Sequence, residues 1–133
     1  PFYLISKIIA IMSKNSSIIQ ITSLGSKLGF KNNPSYQISK AALAQLTRCA
    51  AVDFKSKKIR FNNICPGYVK TNMTEKSFKS KKRRKSIIER TISNRFGETK
   101  DIVNAVIFLA SQNSSYINGI TLDVDGGYQV YGL

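Results

Sequence analysis

The stretch SIIQITS at residues 17–23, followed by YQISK at 36–40, predicts both the fold and the chemistry of this chain. The first segment is a short apolar run, which indicates a buried strand that ends at Ser23. In the second segment Tyr36 and Lys40 are four residues apart, so they share one face of a helix. A serine at the end of the strand could meet that face. The three side chains would then form one polar site.

Such a trio can move a proton to or from a carbonyl or alcohol oxygen without histidine, and the chain contains no histidine. An unperturbed tyrosine has a pKa of about 10, too high for a general acid or base near neutrality. A cation within about 4–6 Å stabilises the phenolate and lowers that pKa by roughly 1–3. Lys40 is placed to supply this charge, and the Ser23 hydroxyl can hold the substrate oxygen. Taken alone the Tyr-x-x-x-Lys spacing is weak evidence, because an interfacial tyrosine beside a solvated lysine has the same pattern.

Helical and strand patterns alternate along the chain. They predict helices at about 2–14, 35–56 and 100–112, strands at about 17–23, 59–65 and 120–124, and a long connection before Gly97. Strands that alternate with helices of this length favour an α/β fold with a parallel sheet. Thr99 is the expected N-cap of the last helix. Asp101 lies in its first turn, where a carboxylate is favoured.

Further motifs follow the first two segments in a fixed order. They are SKAA at 39–42, IRFNNICPG at 59–67 with Val69 and Thr71 behind it, RFGE at 95–98 with DI at 101–102, FLAS at 108–111, YING at 116–119 and DVDGG at 123–127. This series resembles the C-terminal, catalytic half of the short-chain dehydrogenase/reductase family over nearly the whole chain. The last motifs look most like its beta-ketoacyl carrier-protein reductase and sugar-modifying branches.

The resemblance implies a three-layer Rossmann-like fold, of which residues 1–133 would be a single partial domain with about three strands and flanking helices. It implies NAD or NADP as cofactor and a hydride transfer that interconverts a carbonyl and an alcohol. Tyr36 would be the catalytic acid/base, Ser23 would orient the substrate, and Lys40 would also bind the nicotinamide ribose. The cofactor would be lined by Tyr36, Lys40, Pro66, Gly67, Val69 and Thr71. For the Pro-Gly pair, a turn that simply ends a strand is the alternative.

The sequence has no Gly-rich strand-to-helix turn of the kind that places a pyrophosphate at a helix N-terminus, and its first glycine is Gly25. The family's dinucleotide-binding half, with the residues that separate NAD from NADP, would precede residue 1. The chain is therefore expected to be the C-terminal half of a reductase, with an open sheet edge where the other half would pair. Two functions follow: an NAD(P)-dependent oxidoreductase, or an inactive remnant that acts only through self-association.

The length of 133 residues and the hydrophobic content of 42% are those of a piece of one globular domain. Cys49 and Cys65 form no C-x-x-C pair and are expected on buried elements. With two cysteines and no histidine no metal site is expected, and a reducing, cytoplasmic setting is predicted. The apolar stretch 1–12 is too short to span a bilayer. In the family the corresponding helix joins the Tyr/Lys helix in a dimer interface, so a homo-oligomer is expected.

Basic residues exceed acidic ones by 21 to 7, which gives a net charge of +14. Seven of these cations lie between Lys76 and Lys85. One interpretation is a solvated, mobile loop. A second is a cationic lid over the substrate that attracts a phosphate, a carboxylate or an acidic carrier protein, since the family's substrate-covering loop follows Thr71. The third, nucleic-acid binding, is disfavoured because no nucleic-acid motif accompanies the run.

Overall fold

A computed structural model describes residues 1–131 of the chain. The strands are β1 (Ser17–Ile21), β2 (Arg60–Pro66) and β3 (Thr121–Val124), and the helices are α1 (Phe2–Ile8), α2 (Pro34–Asp53), α3 (Glu75–Lys79), α4 (Lys81–Arg90) and α5 (Thr99–Ala110). Short 3₁₀ turns lie at Leu24–Ser26, Lys55–Lys57, Asn72–Thr74 and Gln112–Ser114.

The strands form one parallel sheet in the order β1-β2-β3. Ser17 lies opposite Arg60, and Cys65 lies opposite Asp123. The central strand β2 is buried along its length up to Pro66, as expected for a parallel strand covered on both faces. The predicted α/β class with three parallel strands and flanking helices is thus confirmed.

Helices cover both faces of this sheet. Successive residues of a strand point to opposite faces. The Phe61 ring packs with Ala50 and Phe54 on the α2 side. The Arg60 guanidinium instead donates to the carbonyl oxygen of Leu109 at the end of α5, at 2.8 Å. Helices α2 and α5 therefore lie on opposite faces, which gives three layers.

A buried polar network fixes the rotation of α2 on the sheet. The Thr47 hydroxyl donates to Asn63 Oδ1 at 2.6 Å and accepts from Gln20 Nε2 at 2.5 Å, joining α2 to β2 and β1. Thr47 lies two helical turns beyond Lys40 and three beyond Tyr36, so the three residues share one face of α2. The network therefore holds the Tyr36 and Lys40 face toward the sheet.

A second buried group fixes the connection from α5 to β3. The guanidinium of Arg60, only 7% exposed, also donates to the Ser111 carbonyl oxygen at 3.1 Å, so a cation meets the C-terminal end of α5. Asn62 Nδ2 donates to the Ile117 carbonyl oxygen at 2.9 Å, and Asn118 Oδ1 accepts from the Phe61 N–H at 2.8 Å. The RFNN segment of the IRFNNICPG motif thus organises the fold.

The basic segment is helical and not a loop, so that part of the first interpretation is wrong, although its lysines and arginines are exposed to solvent. Lys76–Lys85 runs through α3 and α4, and Ser80 begins α4 by accepting from the Arg83 N–H at 3.4 Å. Ile87 on α4 is buried, and Phe78 on α3 packs edge-on against Phe96 at 5.5 Å between ring centroids. These apolar anchors stabilise helices that the charge pattern did not predict.

Several boundaries and local details also differ. Helix α1 ends at Ile8 and not near residue 14: the chain continues in a turn closed by the Ile11 N–H, which donates to the Ile8 carbonyl oxygen at 3.1 Å, and Asn15 adopts a left-handed φ of 67° before β1. The N-cap of α5 is Glu98, one residue before the predicted Thr99, since the Asp101 carboxylate accepts the Glu98 N–H at 2.8 Å. Cys49 is exposed, not buried as expected, whereas Cys65 is buried.

Candidate active site

An open cleft of about 1090 Å³ lies at the carboxyl ends of β1 and β2. Ligand sites of open parallel α/β sheets lie in crevices at this edge. The cleft is lined by all the residues that the sequence singled out: Ser23, Tyr36, Lys40, Pro66, Gly67, Val69 and Thr71. The fold therefore brings together side chains that are up to 48 positions apart in the sequence.

Ser23 lies two residues beyond the end of β1 and caps the 3₁₀ turn Leu24–Ser26. Its Oγ accepts the Gly25 N–H at 3.3 Å, and its carbonyl oxygen accepts the Ser26 hydroxyl at 2.6 Å. Because Oγ is an acceptor in the turn, its own hydrogen is free to donate. The capping contact thus orients Ser23 while leaving it a donor for a ligand oxygen.

Tyr36 and Lys40 lie one turn apart on the sheet-facing side of α2, and both are half-buried. The Lys40 ammonium donates to the Ile21 carbonyl oxygen at 2.8 Å and lies 5.8 Å from the centroid of the Tyr36 ring. The end of β1 therefore holds a positive charge beside the phenol. Two of the three ammonium hydrogens remain for other acceptors.

Gln37 and Gly25 position this site, although the sequence analysis did not identify them. The Gln37 amide accepts the Phe30 N–H at 2.7 Å and donates to the carbonyl oxygens of Phe30 and Asn33 at 2.7 and 2.8 Å. A Cβ at Gly25 would lie 2.9 Å from Gln37 Cγ. The turn that carries Ser23 thus packs directly on the helix that carries Tyr36. No sequence motif signals this contact, which is steric.

The Pro66-Gly67 pair has a packing role besides lining the cleft. A Cβ at Gly67 would lie 2.6 Å from Asp125 Cα, so only glycine allows the end of β2 to approach the turn after β3. The Asp125 carboxylate in turn accepts the N–H groups of Gly127 and Gln129 at 2.9 and 3.0 Å. The two interpretations of Gly67, a turn and a cleft residue, are therefore both compatible with its position.

Val69 and Thr71 lie on a loop that is tied to the rest of the domain at two points. The Gly97 N–H donates to the Tyr68 carbonyl oxygen at 2.8 Å, and the Lys70 N–H donates to the Gly97 carbonyl oxygen at 2.9 Å. The Thr71 N–H donates to Thr74 Oγ1 at 3.1 Å, which closes the Asn72–Thr74 turn. Val69 is buried and Thr71 is exposed.

The buried Cys65 thiol is not a candidate nucleophile. Burial, followed by the negative charge of Asp123, raises the pKa of Cys65 to about 11, although the Lys27 ammonium acts in the opposite direction. Lys27 bonds both carboxylate oxygens of Asp123, at 2.7 and 2.6 Å. A thiol with a raised pKa stays protonated at neutral pH, and the thiolate is the reactive form. Cys65 therefore acts in packing.

Two further properties concern residues 1–131 as a whole. No helix in this range is both long enough and apolar enough to cross a membrane. Nor does the range bring together three or more His, Cys, Asp or Glu side chains that could hold a metal ion.

The sequence model of the family described as Enoyl-(Acyl carrier protein) reductase matches residues 1–129. The chain belongs to the short-chain dehydrogenase/reductase family. The resemblance inferred from the motifs is therefore confirmed. The chain spans about half the length of the curated relatives it matches, with coverages of 45% to 47% of their sequences.

Of three such relatives, two are named for a substrate, and the two substrates differ. The chain is 38% identical over 122 residues, or 92% of its length, to the uncharacterized oxidoreductase YgcW of Escherichia coli. It is 39% identical over 112 residues, 84% of its length, to L-xylulose reductase of Caenorhabditis elegans. It is 33% identical over 117 residues, 88% of its length, to the 3-oxoacyl-[acyl-carrier-protein] reductase FabG of Thermotoga maritima.

Solved structures named as dehydrogenases superpose closely on the chain. A putative 2-deoxy-D-gluconate 3-dehydrogenase from Agrobacterium tumefaciens with bound NADP has a TM-score of 0.88 at 36% identity, over 94% of this chain and 50% of that one. A gluconate 5-dehydrogenase from Burkholderia cenocepacia in complex with NADP and tartrate has a TM-score of 0.87 at 31% identity, over 94% and 48%. Both neighbours carry the nicotinamide cofactor that the motifs predicted.

Proposed function

We propose that this chain provides the catalytic half of an NAD(P)-dependent oxidoreductase that interconverts a carbonyl and an alcohol by hydride transfer. The observation that carries the proposal is the position of the Lys40 ammonium. It bonds to the end of β1 at 2.8 Å and lies 5.8 Å from the Tyr36 ring centroid, in the cleft that Ser23 also lines. Membership of an oxidoreductase family supports it.

In the reducing direction Tyr36 acts as the general acid. When bound, the nicotinamide supplies a hydride to the carbonyl carbon or accepts one from the alcohol carbon. Tyr36 donates its phenolic proton to the oxygen as negative charge develops there, and the Ser23 hydroxyl donates a hydrogen bond to the same oxygen. The Lys40 charge stabilises the phenolate that remains. In the oxidising direction the phenolate accepts the alcohol proton.

The cleft residues fit the nicotinamide end of the cofactor. Lys40 uses one hydrogen on Ile21 and keeps two donors for ribose hydroxyls. Thr71, with an exposed side chain, and residues 66–69 line the same cleft, where a carboxamide would bond to the Thr71 hydroxyl and to backbone groups that are not already paired. The chain contains no G-x-G-x-x-G sequence, so we assign the pyrophosphate and the adenosine to none of its residues.

The substrate is proposed to be a small carbonyl or alcohol. L-xylulose reductase is named for a neutral sugar, whereas gluconate 5-dehydrogenase is named for a sugar acid and FabG for a carrier-bound acyl group. These names share the carbonyl/alcohol chemistry but not the charge of the substrate. The relatives therefore support the type of reaction, and the charge of the substrate has to be inferred from the residues that line the cleft.

A second candidate function is self-association without catalysis. The observation that favours it is the apolar surface of α1, on which Phe2, Tyr3 and Leu4 are 68%, 73% and 61% exposed. Ile38 and Val52 on α2 are also more than two thirds exposed, at 68% and 71%. A homo-oligomer through these helices stays a prediction, as does the cytoplasmic setting.

Cofactor titration separates the two functions. NADH and NADPH fluorescence should be measured against the 133-residue chain and against the full product of its gene, with turnover of a ketone followed in parallel. The proposal expects saturable binding that non-fluorescent NAD or NADP displaces, together with turnover, in the full product. A full product that self-associates in sedimentation but neither binds cofactor nor turns over would instead support the inactive remnant.

A further inference from the structure

The cleft has an unbalanced charge. Its lining includes four basic side chains, Lys31, Lys40, Lys70 and Arg83, and within residues 1–131 no aspartate or glutamate lines it. A concave surface with charges of one sign concentrates counter-ions and attracts charged ligands, more strongly than a flat surface does. The mechanism above uses only Lys40. The other cations need a separate explanation.

Lys70 already has partners. Its ammonium lies 3.9 Å from a Glu98 carboxylate oxygen and 5.4 Å from the centroid of the Phe78 ring. In contrast, neither Lys31 nor Arg83 lies within 4.0 Å of a carboxylate oxygen of the described residues. Besides Lys40, Lys31 and Arg83 are therefore the cleft cations whose charge is available to a ligand.

The helix α4 holds Arg83 at the cleft. Ile87, one turn further along, is buried with Phe96 and Tyr128. The other arginines of α4 contact aromatic rings: Arg90 lies 4.7 Å from the Tyr128 centroid, and Arg84 lies 5.7 Å from the Phe78 centroid. Of the three, only Arg83 lines the cleft. The helix thus turns one guanidinium toward the site while its neighbours serve in packing.

Building on the proposed function, we propose that Arg83, together with Lys31, forms an anion-binding pair that selects carbonyl or alcohol substrates bearing a carboxylate or phosphate group. A guanidinium presents a planar fork of donors that matches both groups. This assigns one part of the basic segment to a small anion inside the cleft. The lysines on the outer surface of α3 and α4 take no part in the site.

An anion in the cleft could belong to the substrate or to the 2′-phosphate of NADP. The test therefore measures turnover with NADH and with NADPH, using matched pairs of substrates that differ only in charge. The pairs are 4-oxopentanoate with its methyl ester, and dihydroxyacetone phosphate with dihydroxyacetone. The variants are Arg83→Gln, Arg83→Lys and Lys31→Gln in the full product of the gene. Lys82→Gln, an exposed neighbour on α4 that does not line the cleft, is the control.

The proposal expects the wild-type protein to prefer the anionic member of at least one pair. Arg83→Gln should raise KM for that member about tenfold, with kcat and the KM of the neutral member changed less than about twofold. Lys31→Gln should act in the same direction, and Arg83→Lys should restore most of the preference. Lys82→Gln should change nothing. Added salt should weaken the preference in the wild-type protein, since ionic screening reduces it.

Three results would overturn the proposal: an equal loss for charged and neutral substrates, a loss that appears with NADPH but not with NADH, or no change in Arg83→Gln. Calorimetric binding of 4-oxopentanoate separates this proposal from the proposed function. If no ketone is turned over, the function fails. Binding of 4-oxopentanoate that is weaker in Arg83→Gln would then still support the anion site. Equal binding by the wild type and Arg83→Gln would contradict it.

Discussion

The catalytic side of the cleft, formed by residues 21–25 and 36–40, is held by side-chain hydrogen bonds and by a buried polar network behind it, whereas the basic side, formed by residues 70–90, is anchored by apolar side chains and carries exposed charges. On the catalytic side Lys40 bonds to the end of β1, and Thr47 fixes the same helix face through Asn63 and Gln20. On the basic side the ion pairs Lys79–Glu75 and Lys85–Glu89 are solvent-exposed.

We therefore expect the two sides to have different roles, catalysis on one side and selection of a charged substrate on the other. Reacting groups must be placed within fractions of an ångström, which requires elements whose rotamers are locked by their surroundings. Selection of a charged substrate tolerates a looser geometry, because Coulomb attraction varies slowly with distance. We therefore expect substitutions on the catalytic side to lower kcat and those on the basic side to change KM.

The largest effect is expected for Lys40→Met. This variant removes the charge beside Tyr36 and the bond to the Ile21 carbonyl oxygen. Turnover should fall by about 10²–10⁴, the usual contribution of acid–base catalysis. Lys85→Met, an exposed lysine on α4, is the control and should retain activity. Steady-state kinetics of the full gene product measures both, and comparable activity in the two variants would remove the distinction between the two sides.

Gly25→Ala should disturb the catalytic side through packing. The new methyl group would lie 2.9 Å from Gln37 Cγ, and the Gln37 amide is held by three hydrogen bonds and cannot move away at low cost. We expect a loss of about 1–3 kcal/mol in the free energy of unfolding, with reduced kcat. Gly29→Ala is the matched control, because its added Cβ meets nothing within 4 Å. Equal denaturation midpoints for the two variants would contradict the packing role.

Thr47→Val tests the network that sets the rotation of α2. The substitution keeps the shape but leaves Asn63 Oδ1 without the hydroxyl donor and Gln20 Nε2 without its acceptor. Unfolding in urea should show a loss of about 1–3 kcal/mol. Thr47→Ser keeps the hydroxyl and should recover most of the lost free energy of unfolding. If Thr47→Val and Thr47→Ser are equally stable, the network does not hold the catalytic face.

The smallest effect is expected at the start of α5, beyond both sides of the cleft. The hydrogen bonds from Arg95 and from the Glu98 N–H hold the pKa of Asp101 at about 2, below its ordinary 3.8. A lowered pKa in the folded state stabilises the fold above the ordinary value, and this contribution disappears as the pH falls through 2. The melting temperature of Asp101→Asn should thus lie below that of the wild type at pH 6 and approach it near pH 2.

A melting difference that does not change across this pH range would contradict the assignment to the Asp101 carboxylate. Arg95→Gln supplies a second check, because it removes the hydrogen bonds from Arg95 to the Asp101 carboxylate. Its melting temperature should also lie below that of the wild type at pH 6, by less than in Asp101→Asn, and approach it near pH 2.

The sequence predicted the parts of the molecule that repeat a pattern. The apolar run before Ser23 and the Tyr36–Lys40 spacing predicted the strand, the helix and the trio Ser23, Tyr36 and Lys40, whereas the remaining cleft residues were predicted from the family resemblance. Helices α3 and α4 were missed because a run of lysines and arginines hides the anchors Phe78 and Ile87. The steric contact of Gly25 with Gln37 has no local signature, since it depends on two elements that only the fold brings together.

The central claim is that Tyr36 moves the proton, and a single-turnover experiment with the variant Tyr36→Phe tests it most directly. The full gene product, saturated with reduced cofactor, should reduce a ketone at least about 10² times more slowly in this variant, with the affinity for the cofactor largely unchanged. Tyr116→Phe, a substitution at a fully exposed tyrosine, should react like the wild type. An undiminished rate in Tyr36→Phe would contradict the account.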